Sequence, residues 1–150
     1  MTADCVFCRI VAGTAPASVV HSDGTAVAFL DIAPITPGHL LVVPRAHAVG
    51  LGDLVPATGA HVFTVAQRLA AALRASTLRC DGVNLFLADG AAAFQEVFHL
   101  HLHVLPRWRG DGFKLSFRAG TPSRAELDTQ AAEIRGTLAP PRAPEVRTRD

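Results

Sequence analysis

Between residues 99 and 105 the chain reads His99-Leu100-His101-Leu102-His103-Val104-Leu105. Histidine alternates with aliphatic residues, which is the period of a β-strand, where successive side chains point to opposite faces. A strand here puts His99, His101 and His103 on one face, neighbours roughly 6–7 Å apart. Leu100, Leu102 and Val104 take the other face, toward a core. Pro106 cannot donate to a ladder, so the strand should end near it. The chain has seven histidines, and three of them fall in this stretch. Two chemistries suit such a face. Three imidazoles can ligate one zinc and leave a position open for water. Alternatively, the middle imidazole is a nucleophile toward phosphorus while its neighbours hold the phosphate. A free imidazole, with a pKa of ~6.5, is mostly neutral near pH 7 and so has a lone pair to offer. It then needs only a hydrogen bond that fixes its tautomer.

A second constellation lies at the N-terminus, Cys5-Val6-Phe7-Cys8. Three cysteines in total do not make a disulfide framework. A C-x-x-C pair in a reducing compartment points to metal or redox chemistry. Cys80 reads as an ordinary thiol, and His21 and His61 as ordinary surface or helix positions.

The elements that must position these residues can be read in order. Residues 5–12 carry one or two helical turns. Residues 18–21 and 25–30 are short β-branched or alternating runs around Ser22-Asp23-Gly24, a hairpin signal. Asp31 to Gly38, with Pro34 and Pro37, is a turn-rich connection into a third strand, His39 to Pro44. Leu54 to Leu78 is the one long helical pattern, with Val62, Val65, Ala66, Leu69, Ala72 and Leu73 on one side. A fourth strand runs Val83 to Leu87, and Asp89 to Gln95 is a small-residue loop into the histidine strand. Ser123 and Glu126 form a capping-box pattern for a second helix to about Gly136. Ala139 to Asp150, with three prolines, is expected to be disordered. Strands, helix, strands and helix with hairpin-length links predict an α+β fold with a mainly antiparallel sheet.

Composition narrows the function classes. A net charge of +1 across 150 residues offers no bulk attraction to nucleic acid or a membrane surface. No apolar run reaches the ~20 residues of a membrane span. The start Met1-Thr2-Ala3-Asp4 lacks the basic and apolar regions of a signal peptide, so the expected location is the cytoplasm.

The histidine run matches the signature of the histidine triad (HIT) superfamily, and its companions stand in the family order. Cys5-Val6-Phe7-Cys8-Arg9-Ile10-Val11 resembles the N-terminal segment of bacterial, HINT-like members. Ala28-Phe29-Leu30-Asp31-Ile32, then Pro37-Gly38-His39-Leu40-Leu41-Val42-Val43-Pro44-Arg45-Ala46-His47, is similar to the nucleoside-binding half. Gly90 to Gln95 and Glu96-Val97-Phe98 precede the triad, and Pro106-Arg107 follow it. The resemblance spans residues 5–113 within a domain expected to run from 1 to 138.

This resemblance implies the HIT-like fold, a sheet of about five strands with one long and one C-terminal helix. It also implies a hydrolase or transferase cleaving at the α-phosphate of a purine nucleotide conjugate, such as an adenosine phosphoramidate. His101 would be the nucleophile, His103 would bind the phosphate oxygens, and His99 would stand nearer the leaving group. Asp31 would accept the ribose hydroxyls, since a carboxylate can take one hydrogen bond from each of a vicinal pair. Phe29 and Ile32 would line the base pocket, although pocket wall and core look alike in sequence. His39 would support the nucleophile, and Gln95 would meet the phosphates. The resemblance further implies a homodimer and a structural zinc on Cys5, Cys8, His47 and His99.

Three positions depart from the family pattern. Ala88 replaces a polar residue, Phe94 a glycine, and Glu96 a serine or threonine of some members. Asn84, assigned to the strand face of Ala88, is the candidate replacement for the missing polar contact. Arg107-Trp108-Arg109-Gly110-Asp111-Gly112-Phe113 resembles branches that handle polyphosphates. A dinucleoside polyphosphate hydrolase, a nucleotide-binding regulatory module with weak turnover, and a zinc hydrolase built on the triad therefore stay open at this level.

Overall fold

The structure, a computed structural model, describes residues 4–114, 116 and 118–138; the expected disordered tail lies outside them. The chain divides into two compact units, one ending at Phe113 and one beginning at Lys114. The C-terminal helix, expected within a single domain, belongs to the second unit.

In the first unit the element order is α1 (Val6–Val11), β1 (Val19–Ser22), β2 (Ala26–Leu30), β3 (Leu40–Pro44), α2 (Pro56–Ala75), β4 (Gly82–Leu87) and β5 (Leu102–Arg107). The strands form one antiparallel sheet in the order β1-β2-β3-β5-β4. The two central strands β2 and β3 are covered on both faces, which is why they read as nearly continuous apolar runs. One face carries Ala26, Ala28, Leu40, Val42, Leu102 and Val104, packed against Val62, Val65, Ala66 and Leu73 of α2. The other carries Val27, Phe29, Leu41 and Val43, packed against Phe7 of α1. Pro56 opens α2 at a position where its missing N–H costs nothing.

The turn before β3 depends on Gly38. Its φ of +80° is left-handed, and a Cβ there would lie 2.5 Å from Leu78 Cδ1. At the β1–β2 hairpin, Asp23 Oδ1 accepts from the Thr25 and Ala26 N–H groups. Its Oδ2 accepts from His21 Nε2 and His61 Nε2, each at 2.8 Å. His61 thus ties the hairpin to α2, while His21 closes a bond within the hairpin. The four donors hold the Asp23 carboxyl far below the usual carboxylate range, the two backbone bonds contributing most.

In the second unit, α3 (Arg124–Thr137) begins at the expected capping box. The Ser123 N–H donates to Glu126 Oε2 at 2.7 Å, and the Glu126 N–H donates to Ser123 Oγ at 3.3 Å.

One expectation needs correction. The histidine run is not a single strand, because β5 starts at Leu102 and only His103 lies within it. The β3–β5 register, Val42 with Leu102 and Leu40 with Val104, would bring Pro44 opposite Leu100. Pro44 has no N–H to give, and its carbonyl accepts from His99 Nε2. The Leu100 N–H donates instead to Ala48 O at 2.7 Å. Residues 99–101 therefore leave the ladder and pack on the loop that follows β3.

Candidate active site and metal cluster

The departure from the ladder sends the three triad imidazoles to different partners. His101 is buried, and its Nδ1 lies 2.7 Å from the carbonyl oxygen of His99. A carbonyl can only accept, so Nδ1 carries the proton and Nε2 keeps its lone pair. The ring is flanked edge-on by Phe7, with centroids 5.2 Å apart, and by His103 at 4.9 Å.

His103, on β5 opposite Leu41, pairs with His39. His39 Nε2 lies 2.8 Å from His103 Nδ1, and the two rings stack at 5.0 Å. The Ile35 N–H donates to His39 Nδ1 at 3.3 Å. His39 therefore carries its proton on Nε2 and donates to His103. That leaves His103 with Nε2–H, a donor for an anionic oxygen. His39 supports His103 directly, whereas the resemblance gave it to the nucleophile. Burial drives both imidazoles toward the neutral form; His103 is lowered to about 4, with the neighbouring His101 and His39 adding to the effect.

Asp31 stands at the end of β2. Its Oδ1 accepts from the Ala33 N–H at 2.9 Å, the turn bond expected of such a residue. Its Oδ2 faces His39 Nδ1 at 3.4 Å. Asp31 thus stands beside the hydrogen-bonded pair His39–His103. Phe29 is a core residue whose ring meets Phe7 at 5.5 Å, while Ile32 is fully exposed.

His99 turns away from this group. It is completely buried, and its Nε2 donates to Pro44 O at 2.9 Å, which leaves Nδ1 deprotonated. That nitrogen lies 3.5 Å from Cys5 Sγ, 3.6 Å from Cys8 Sγ and 3.3 Å from His47 Nδ1. Cys8 Sγ and His47 Nδ1 are 3.3 Å apart. All four ligand atoms lie within 4.8 Å of one another. A tetrahedral zinc with Zn–N of ~2.05 Å and Zn–S of ~2.3 Å sets N···N near ~3.3 Å and N···S near ~3.5 Å. The cluster has these spacings, so the residues fit a zinc ion.

Two further expected residues stand elsewhere. The buried Gln95 spends both amide donors on the carbonyls of Val49 and Val97, at 2.7 and 3.3 Å, and accepts from the Gly90 N–H. It braces the loop before the triad from within. Asn84 accepts from Arg107 Nη1 at 2.6 Å, and Arg107 is itself forked onto Asp111 through Nε and Nη2. Ala88 is buried, and Asn84, the candidate replacement for its missing polar contact, is engaged by Arg107. Phe94 has φ +68°, which explains the glycine usual at that place, and its ring is exposed. Phe7 and the His99 carbonyl were missed in the sequence. The only signal for Phe7 is its place between the two cysteines.

An α+β sheet with this row of histidines defines a histidine triad protein. The sequence profile of the HIT domain matches residues 12–110, and the chain belongs to that family. The family is generally one of nucleotide-binding proteins, hydrolases and transferases. A HIT-like protein of Mycobacterium tuberculosis is 48% identical over 127 residues, 85% of this chain and 86% of its own. The crystal structure of a Zn-bound histidine triad family protein from Mycobacterium smegmatis is 47% identical with a TM-score of 0.71, covering 90% of this chain and 98% of its own. An adenylylsulfatase of Arabidopsis thaliana is 34% identical over 131 residues, 87% of this chain and 66% of its own. Among the described residues no helix is long and apolar enough to cross a membrane.

Proposed function

We propose that the protein is a nucleotidyl hydrolase or transferase that cleaves at the α-phosphate of a purine nucleotide conjugate through a nucleotidyl-His101 intermediate. The observation that carries this reading is the 2.7 Å bond between His101 Nδ1 and the His99 carbonyl, which leaves Nε2 as a nucleophile. Nε2 forms a bond to phosphorus, the bond to the leaving group breaks, and the leaving group departs with a proton taken from solvent, which the attacking water of the second step returns. The imidazole becomes cationic, and its Nδ1–H stays on the carbonyl dipole. Water then attacks phosphorus, loses a proton and releases the nucleoside monophosphate, restoring neutral His101. His103 donates Nε2–H to a phosphoryl oxygen throughout, held in that tautomer by His39. Asp31 accepts the ribose hydroxyls. His99 serves the chemistry through its carbonyl, since both ring nitrogens are engaged.

An adenosine phosphoramidate is the substrate type we favour over a dinucleoside polyphosphate. The Arg107 guanidinium, the natural holder of a second phosphate, is occupied by Asp111 and Asn84 and lies 4.2 Å over the Phe113 ring. The adenylylsulfatase relative supports an adenylyl group on a small leaving group, although its bond is P–O where the phosphoramidate's is P–N. Zinc on Cys5, Cys8, His47 and His99 is structural in this reading, since it takes His99 out of the triad's chemistry. A zinc hydrolase on His99, His101 and His103 is disfavoured because His99 Nδ1 faces the cysteines.

We also propose that two copies join along β4. It is an edge strand, which leaves backbone groups unpaired, and it exposes Leu85 and Phe86, with Phe63 exposed on α2. Incubating the protein with an adenosine phosphoramidate, with and without chelator, tests the function. AMP should be released in both, since the bond change needs no ion, and no release would overturn the reading.

A further inference from the structure

We propose that Phe7 is a positioning residue for His101, holding the imidazole in the one orientation that aims Nε2 at the substrate. The inference rests on the nucleotidyl-transfer reading above and deepens it. A single hydrogen bond from Nδ1 fixes the tautomer of His101 but leaves the ring free to swing about that bond. The surroundings must remove this freedom, because attack needs an aligned lone pair. His103 bounds the ring on one side, with centroids 4.9 Å apart and planes at 65°. Phe7 supplies the other wall, at 5.2 Å with planes at 77°, an edge-to-face contact of the favoured geometry.

The wall is itself fixed. Phe7 is buried, and its ring packs edge-on against Phe29 at 5.5 Å and lies 6.0 Å from His99. It sits on α1, a helix of six residues, too short to be stable alone in water. Tertiary anchors at both ends hold that helix. Cys5 and Cys8 meet His47 and His99 at the start, and Arg45 Nη1 donates to Val11 O at 3.3 Å at the end. Phe7 lies between the two cysteines, so what orders the cysteine pair also orders the ring beside the nucleophile.

The test uses the full chain and two variants, Phe7→Leu and Phe7→Met, which keep apolar volume but lose the flat ring. Two readouts are needed. The first is the nitrogen-15 NMR of the His101 imidazole at pH 7.5, assigned by its loss in His101→Asn. The wild type should show protonated Nδ1 and bare Nε2 as sharp signals, and the variants exchange broadening of the imidazole resonances as the ring samples other orientations. The second is steady-state kinetics on an adenosine phosphoramidate. Here kcat should fall roughly 10- to 100-fold while KM stays within about twofold, the pattern of a misaligned reacting group. If Phe7 is instead a wall of the base pocket, KM rises and kcat holds, which overturns the proposal. An unchanged imidazole spectrum in both variants overturns it as well. Absence of turnover in the wild type would sink the nucleotidyl-transfer reading alone, since the NMR readout still decides what Phe7 does to His101.

Discussion

The Nδ1 proton of His101 rests on the backbone oxygen of His99, two residues earlier, across 2.7 Å. A backbone acceptor does not titrate and cannot rotate away, so the tautomer of His101 is a property of the main chain. The same residue that supplies this oxygen sends its side chain into the cysteine cluster. His99 thereby joins the site of chemistry to the site that fits a metal.

Replacing His101 with Asn should abolish covalent chemistry and leave nucleotide binding nearly intact. The loss in turnover should reach several orders of magnitude, because an amide nitrogen has no available lone pair. Mass spectrometry of quenched wild-type enzyme should show an adduct of nucleoside monophosphate mass that the variant lacks. Turnover near the wild-type rate in the variant would exclude the covalent route.

Asp31→Ala should discriminate among ligands. Losing hydrogen bonds to a charged acceptor costs on the order of 1.5–3 kcal/mol. Binding of AMP should weaken by that amount, and binding of 2′,3′-dideoxy-AMP should hardly change. Equal losses in calorimetry would leave Asp31 only its turn bond to Ala33.

Protein purified without a polyhistidine tag should carry one zinc per chain. A Cys5→Ser/Cys8→Ser variant should lose the metal and melt several degrees lower, since the ion pins α1 to the sheet. Elemental analysis with a thermal melt checks both. Zinc retained in the variant would refute the cluster as its site.

The pH dependence of stability follows from the buried imidazoles. His103 is lowered to about 4 in the folded protein, and His39 is lowered in the same direction. An unfolded imidazole titrates near ~6.5. Between those values the unfolded chain binds more protons, so stability rises with pH. It is fully present above about 6.5 and is lost as pH falls toward 4. The contribution of His103 is on the order of 2–3 kcal/mol. Comparing melts of wild type and His103→Asn from pH 7.5 to 4.5 isolates it; parallel curves would show that His103 is not held neutral by the fold.

A second copy seated along β4 should be lost when a charge is placed on that edge. Leu85→Arg should convert a dimer into a monomer at micromolar concentration, read by light scattering. A wild-type monomer would exclude the arrangement.

What the chain declares locally was legible at once. The spacing of Cys5 and Cys8, the apolar stripe of α2 and the capping box at Ser123 are all set by neighbours within a few residues, whereas the β-period of the histidine run held only from Leu102 onward. Together they determined the α+β class, the family and the residues of interest. What side chains do once neighbours distant in sequence arrive was decided only by tertiary structure. Whether His99 faces phosphate or cysteine depends on Pro44, whose missing N–H breaks the ladder and whose carbonyl captures the ring. Whether His39 serves His101 or His103 depends on strand register, which places Leu41 opposite His103. Gln95 was available for phosphate in sequence, and only the approach of the Val49 carbonyl showed its donors to be spent. Phe7 carried no signal of chemistry, because an aromatic between two cysteines is an ordinary core residue until the fold sets His101 against it. Residue type and local spacing name the reactive groups, but orientation, tautomer and hydrogen-bond occupancy are properties of contacts between segments far apart along the chain.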